Sequence, residues 1–253
     1  MGNAYRTWQE WETFFAARST RQLPSLEKDL DYSTLPDSLA RSLAIFQLGE
    51  SGGGTIVAQS FCNSLPGLDY HFGTSMAYFV EEEHRHANIL AMCVRQLGGK
   101  LIRSNWTARL FVFARRLIGL RLKVVVLLAA EVVGLCYYHL LAMRLPPSRL
   151  RDQLLEIVED ERSHLYFHCD FLRAQTASRL RKIVFVAVWR SVMTSAALVV
   201  AIDHRRAIVD LGIGLKAVLE RWRAFSRLAE TLVVSDSNVA CRQARKFGTN
   251  LRP

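Results

Sequence analysis

The chain is predicted to be all-α, a four-helix bundle with additional N- and C-terminal helices. Three observations predict this. Apolar residues recur at alternating three- and four-residue spacing, as in Met76, Val80, Ala87, Leu90, Val94 and Leu97, which marks the buried stripe of a bundle helix. Proline and glycine breaks fall between such stretches, at Pro36, Pro66-Gly67, Gly98-Gly99 and Pro146-Pro147. Third, the stripes carry Glu50, Glu83, His86, Glu131, Glu161 and His164 at places where a bundle ordinarily has apolar residues.

With 253 residues, 50% of them hydrophobic, the chain can bury one sizeable core. Three segments are expected: an N-terminal amphipathic segment over 1–36, the bundle over 37–175, and a C-terminal apolar helix, amphipathic helix and basic tail over 176–253. Cys62, Cys93, Cys136, Cys169 and Cys241 are dispersed and odd in number, without a Cys-x-x-Cys pair. That argues against a disulfide framework, a rubredoxin-type site or a zinc ribbon, and points to a reducing compartment. Met1 to Ser33 mixes charges with tryptophans, so no cleavable signal peptide is expected and the location predicted is cytoplasmic. The net charge of +10 suits an anionic membrane surface or nucleic acid, and equally a solvated basic surface.

Residues 7–18 should form a short amphipathic helix with Trp8, Trp11 and Phe15 on one side. Packing on the bundle is the expected role, with interfacial membrane anchoring as the alternative. The first bundle helix should run from Asp37 to about Leu65, with Leu43, Phe46, Glu50 and Val57 inward. Gly52, Gly53 and Gly54 lie inside it, each costing about 1 kcal/mol relative to alanine. Close approach of a facing helix, or an opening beside Glu50, would compensate.

The second bundle helix, about 69–97, places Glu83 in its apolar seam and His86 one turn on. The competing pair Glu81 and His84 falls off that seam. The third, about 106–143, aligns Val124, Leu128, Glu131, Leu135 and Tyr138. Burying Glu131 there without a partner would be costly. The fourth, about 148–174, has the seam Leu154, Val158, Glu161, Leu165, His168 and Leu172.

A fifth helix, about 177–208, is different in kind. Ile183 to Ile202 is nearly all apolar, with Arg190 within it and Arg179, Arg181, Lys182, His204, Arg205 and Arg206 at its flanks. It approaches the ~20 residues of a membrane span. A helix covering the bundle is the expected reading, in-plane membrane association the next. From Leu215 one more amphipathic helix leads into a basic tail.

Each Glu-x-x-His puts a carboxylate and an imidazole on one helix face, one turn apart. Two such motifs and two lone Glu give four carboxylates and two imidazoles, the ligand set of a carboxylate-bridged dinuclear site in a helix bundle. Such ligands suit iron or manganese. The order Glu50, Glu83-x-x-His86, Glu131, Glu161-x-x-His164 resembles the ferritin-like di-iron carboxylate superfamily. That superfamily includes bacterioferritin, rubrerythrin, ribonucleotide reductase small subunits and bacterial multicomponent monooxygenases. The resemblance covers roughly residues 37–175.

This resemblance implies a ferritin-like bundle and two iron ions, or one iron and one manganese, with dioxygen as co-substrate. It further implies Glu83 and Glu161 as bridges, Glu50 and Glu131 as outer ligands, and one histidine, His86 or His164, per metal. Asp160 and Glu82 resemble the acidic residues that hydrogen-bond the histidine of the opposite motif in di-iron monooxygenases, which pairs Asp160 with His86 and Glu82 with His164. His168 is expected as a hydrogen-bonded core histidine, with a third nitrogen ligand as the alternative. Tyr138 is expected as a core tyrosine, with a redox-active tyrosine or one that supports a ligand as the alternative. The local Gly49-Glu50-Ser51-Gly52-Gly53 is similar to the Gly-Glu-x-Gly-Ala of demethoxyubiquinone hydroxylases, a membrane-bound branch.

The function so implied is a non-haem oxidase or oxygenase, of monooxygenase type, acting on an apolar or lipid-like substrate. An external electron donor goes with it, and the basic flanks allow a peripheral membrane location. An iron-handling protein of ferroxidase, storage or peroxidase type shares the ligands and is the alternative, followed by a tRNA-modifying hydroxylase. Without an aromatic-basic binding motif, nucleic acid is not the expected partner. A homodimer is compatible with the sequence.

Overall fold

The computed structural model describes residues 6–24, 31–52, 54–106, 109 and 119–235, and these are all helix and connection, with no strand among them. Helix α1 (Trp8–Ser19) starts at a capping box: the Thr7 hydroxyl accepts from the Glu10 N–H at 3.2 Å, and Glu10 Oε2 accepts from the Thr7 N–H at 2.6 Å. Trp11 and Phe15 are buried against α4 (Tyr70–Gln96), and Trp8 is partly buried. This aromatic face is therefore spent on the protein interior. The Trp11 ring lies 5.4 Å from that of Phe167, and its indole N–H donates to Asp170 Oδ2 at 2.9 Å.

The expected helix from Asp37 to about Leu65 is two helices. Helix α2 (Asp37–Glu50) ends at Glu50 with Ser51 as its cap, and α3 (Gly54–Phe61) begins after the break. The glycines explain the correction: their backbone entropy makes interruption cheaper than continuation. Helix α4 starts from the Asp69 side chain, which accepts from the Phe72 N–H at 3.1 Å. Helix α5 (Leu120–Ala142) is also shorter than expected, because Gly119 is extended at its N-cap; Trp106 and Arg109 are helical, and 107–108 and 110–118 lie outside the described residues. Helix α6 (Arg149–Gln175) starts at the Ser148 cap.

Helix α5 and helix α6 pack along their lengths as one hairpin, and α2 packs on α4 as another. The mixed stripes read from the sequence are the inner faces of these helices. Met76, Val80, Glu83, Ala87, Leu90 and Val94 of α4 are buried, as are Val124, Leu128, Glu131, Leu135 and Tyr138 of α5 and Leu154, Val158, Glu161, Leu165, His168 and Leu172 of α6. Helix α5 is apolar enough to cross a membrane, yet 89% of its most apolar window is buried, as befits a core helix.

The fifth helix ends earlier than expected. Helix α7 (Arg179–Asp203) stops at His204, and a short helix α8 (Arg205–Asp210) follows. Helix α9 (Leu215–Val234) packs Val218, Trp222, Phe225, Leu228 and Leu232 against α6, α5 and α7. The expected basic tail, with Cys241, lies outside the described residues. Helix α7 covers the bundle only by its edge: Phe185, Trp189 and Met193 are its buried residues, and 17% of its most apolar window is buried.

Candidate metal centre

Four side chains from two helices meet in the interior. Glu83 and His86 of α4 and Glu161 and His164 of α6 are buried, and one donor atom from each lies within 4.8 Å of all the others. His164 Nδ1 is 2.9 Å from Glu83 Oε1, 3.8 Å from Glu161 Oε2 and 3.5 Å from Glu131 Oε2, which brings the buried Glu131 of α5 to the same place. His86 Nδ1 is 3.3 Å from Glu161 Oε1 and 3.6 Å from Glu83 Oε1. Glu50, the last residue of α2, is partly buried; its Oε1 accepts a hydrogen bond from the Tyr138 hydroxyl at 2.8 Å. Glu81 and His84 are exposed.

Both histidines turn their other nitrogen to an acid on the opposite hairpin. His86 Nε2 is 3.2 Å from Asp160 Oδ2, and His164 Nε2 is 2.9 Å from Glu82 Oε2. Behind these acids stand arginines. Arg18 Nε donates to Glu82 Oε1 at 2.9 Å, and its terminal nitrogen contacts Asp160. Arg21 bridges the same two acids, and Arg85 Nη1 lies 3.8 Å from Asp160 Oδ2. Burial would raise the Glu82 acid, but the His164 hydrogen bond and charge, then Arg18 and His86, hold it well below the usual carboxylate range. It is thus an anion able to fix a histidine tautomer.

The proton on each Nε2 faces an acid, so each Nδ1 presents a lone pair to the cluster. His86 Nδ1, His164 Nδ1 and Glu83 Oε1 are all buried without a hydrogen-bond partner among the described residues. Lone pairs and carboxylate oxygens converging in an apolar interior require a cation or protons between them. The residues therefore fit a metal ion. Protons fill the role otherwise. Burial and the neighbouring Glu83 push the Glu50 acid well up, and burial with Glu131 does the same to Glu161. Burial works against a charged His164, but its hydrogen bonds to Glu131, Glu161, Glu82 and Glu83 outweigh it and raise its pKa well above the ordinary imidazole value. His86 is instead pushed down to about 4, by burial first.

His168 is fully buried, its Nε2 3.3 Å from Glu131 Oε1 and its ring 4.8 Å from that of Phe79. It reaches a candidate ligand carboxylate. Gly134, one turn before Tyr138 on α5, leaves space here: a Cβ would stand 3.3 Å from the Tyr138 ring and 3.9 Å from the Glu161 carboxyl carbon.

Arg18, Arg21, Arg85 and Gly134 were not expected at the site. A signal existed for Arg18, which continues the stripe Trp11, Phe15, Arg18 at four- and three-residue spacing. Comparison of the chain with protein-family models and with curated proteins finds no match. Fold and site together define an all-α protein with a buried Glu/His cluster that can hold metal.

Proposed function

We propose that the chain is a ferritin-like di-iron, or iron–manganese, oxidoreductase that uses dioxygen to oxidise an apolar or lipid-like substrate. In this reading α2, α4, α5 and α6 are the four bundle helices. Glu50, Glu83, His86, Glu131, Glu161 and His164 would hold the metals. The observation that carries it is the convergence of two inward, unpartnered histidine Nδ1 atoms and Glu83 Oε1 beside Glu131 and Glu161. When bound, two such ions supply the electrons that dioxygen takes up.

The protein's own part is orientation and insulation. Glu82 and Asp160 hold the imidazole tautomers, and Arg18 and Arg21 hold those acids in place. The Tyr138 hydroxyl orients Glu50, and His168 Nε2 does so for Glu131. Phe79 lies against both His164 and His168, with ring centroids 4.7 and 4.8 Å apart, and keeps water from that side.

The test is anaerobic purification with metal analysis, then exposure to dioxygen with mass spectrometry of co-purified lipids before and after. Two metal ions per chain and an oxygenated product are expected. Iron that is oxidised and accumulates beyond two per chain, with no organic product, replaces this reading with iron handling. A chain that binds no iron or manganese ends it.

A further inference from the structure

The outward side of α7 is apolar at both ends of the helix, with Ala187, Arg190, Ser191, Thr194 and Ser195 exposed between them. Leu180 is 70% exposed, Leu198 60% and Val209 of α8 72%; Ile183, Val184 and Ile202 are also exposed. Single exposed apolar residues are ordinary, but a row of them along one helix marks an interaction surface. The charge inside the row is already neutralised, since Arg190 donates to both carboxylate oxygens of Glu230 at 2.9 and 2.7 Å.

A surface cavity of ≈ 330 Å³ opens at the end of this row, lined by Arg41, Trp106, Ile202, Asp203, Arg205 and Arg206. Asp203 is engaged by the Asn105 side-chain amide at 2.6 Å. Arg41, Arg205 and Arg206 form no ion pair with any described residue, and all three are exposed. Guanidinium groups match phosphate oxygens in geometry as well as charge. The half-exposed Trp106 indole is of the kind that settles at lipid head-group level. Arg179 and Arg181 are exposed at the far end of α7, while Lys182 is turned to the Val234 carbonyl at 2.8 Å.

We propose that the outer face of α7 lies in the plane of an anionic phospholipid bilayer, with the Arg41–Arg205–Arg206 cavity receiving a lipid phosphate. Helix α7 does not cross the bilayer in this arrangement, because its inner edge is packed on α5 and α9. A second copy of the chain fits the face less well. Parallel or antiparallel pairing of two α7 helices brings basic ends against basic ends, whereas an anionic surface complements both. The surface is separate from the metal centre and does not rest on the reading of that site.

Co-sedimentation of the full chain tests this, with vesicles of phosphatidylcholine alone and of phosphatidylcholine mixed with phosphatidylglycerol. Binding to the mixed vesicles at low salt, weakening as salt rises, is expected. Arg205→Gln with Arg206→Gln should lower the partition coefficient roughly tenfold or more. Leu198→Ser with Ile202→Ser should also lower it, with the charge unchanged. Inorganic phosphate should compete no better than chloride of equal ionic strength. The proposal is overturned if the chain stays in the supernatant with mixed vesicles at low salt, or if both double variants bind like the parent. Specific displacement by inorganic phosphate would assign the cavity to a free anion. Self-association lost in Leu198→Ser with Ile202→Ser, without vesicle binding, would assign the face to a second copy.

Discussion

His86 of α4 turns Nε2 to Asp160 of α6, 3.2 Å away, while His164 of α6 turns Nε2 to Glu82 of α4, 2.9 Å away. Each of the two helices thus fixes the other's imidazole. In both motifs the acid is the residue just before the inward Glu, so one helical stretch delivers a candidate ligand carboxylate, an imidazole and the neighbour's anchor. The arrangement concentrates negative charge, and Arg18 and Arg21 of α1 offset it from outside.

Removing that clasp should loosen metal before it unfolds the protein. Arg18→Ala with Arg21→Ala leaves Asp160 with Arg85 and takes away both arginines that contact Glu82. Metal affinity, measured by chelator competition, should fall about 10- to 100-fold, as for other partners that orient ligand histidines. Stability should also fall, by about 3 kcal/mol, because buried carboxylates lose their partners. Unchanged affinity in a folded double variant would make the arginines merely structural.

Glu131→Ala should remove at least one metal equivalent per chain. Glu131 is buried on α5, 3.5 Å from His164 Nδ1 and 3.3 Å from His168 Nε2, with no surface arginine or lysine to satisfy it in these contacts. Elemental analysis after reconstitution reads the stoichiometry directly. Two metals still bound to the variant would show that Glu131 is no ligand.

Metal loading should release protons. Glu50, Glu161 and His164 are all shifted upward, so the metal-free cluster retains protons that ligation must displace. Metal affinity should accordingly rise with pH across the neutral range. Calorimetric titration in buffers of different ionisation enthalpy counts the protons. Equal heats in all buffers would mean that the cluster is already deprotonated.

The parts of this fold that were legible in the sequence are those governed by periodicity. Glu83 and His86, rather than Glu81 and His84, could be assigned inward because the seam from Met76 to Val94 has a single register. The crossed pairing of Asp160 and Glu82 came from resemblance, and the structure brings both pairs together. Backbone breaks were less legible. Gly52 to Gly54 were read as a cost inside one helix that a close neighbour or an opening beside Glu50 would compensate, whereas one helix ends at Glu50 and the next begins at Gly54. Arg21 was missed because an arginine's reach across two other helices leaves no local pattern, whereas Arg18 extends the stripe of Trp11 and Phe15 and could have been found. The exposure of α7 was legible only as an alternative: its apolar run read first as a cover for the bundle and next as a membrane-facing helix, because an apolar helix does not itself say what covers it.

Acid should destabilise the fold through His204, at the α7–α8 break. This residue is buried, with Nδ1 2.8 Å from Ser42 Oγ, which in turn lies 2.6 Å from the Tyr137 hydroxyl, and its ring is 4.6 Å from that of Phe46. Burial, only partly opposed by Asp203, pushes its value down to about 4 from the ordinary 6.5. The unfolded chain therefore binds the proton first. The stabilisation from keeping His204 neutral is complete above about pH 6.5 and is lost as pH falls through 4, with a span of about 3 kcal/mol. His86 and His139 are shifted likewise to about 4, so the parent's slope sums several groups. His204→Asn keeps a polar partner for Ser42 and cannot titrate in this range. In metal-free protein, urea midpoints for this variant should start lower at neutral pH and fall less steeply toward pH 4. Parallel curves for parent and variant would mean that His204 is already charged inside the fold, or that acid acts elsewhere.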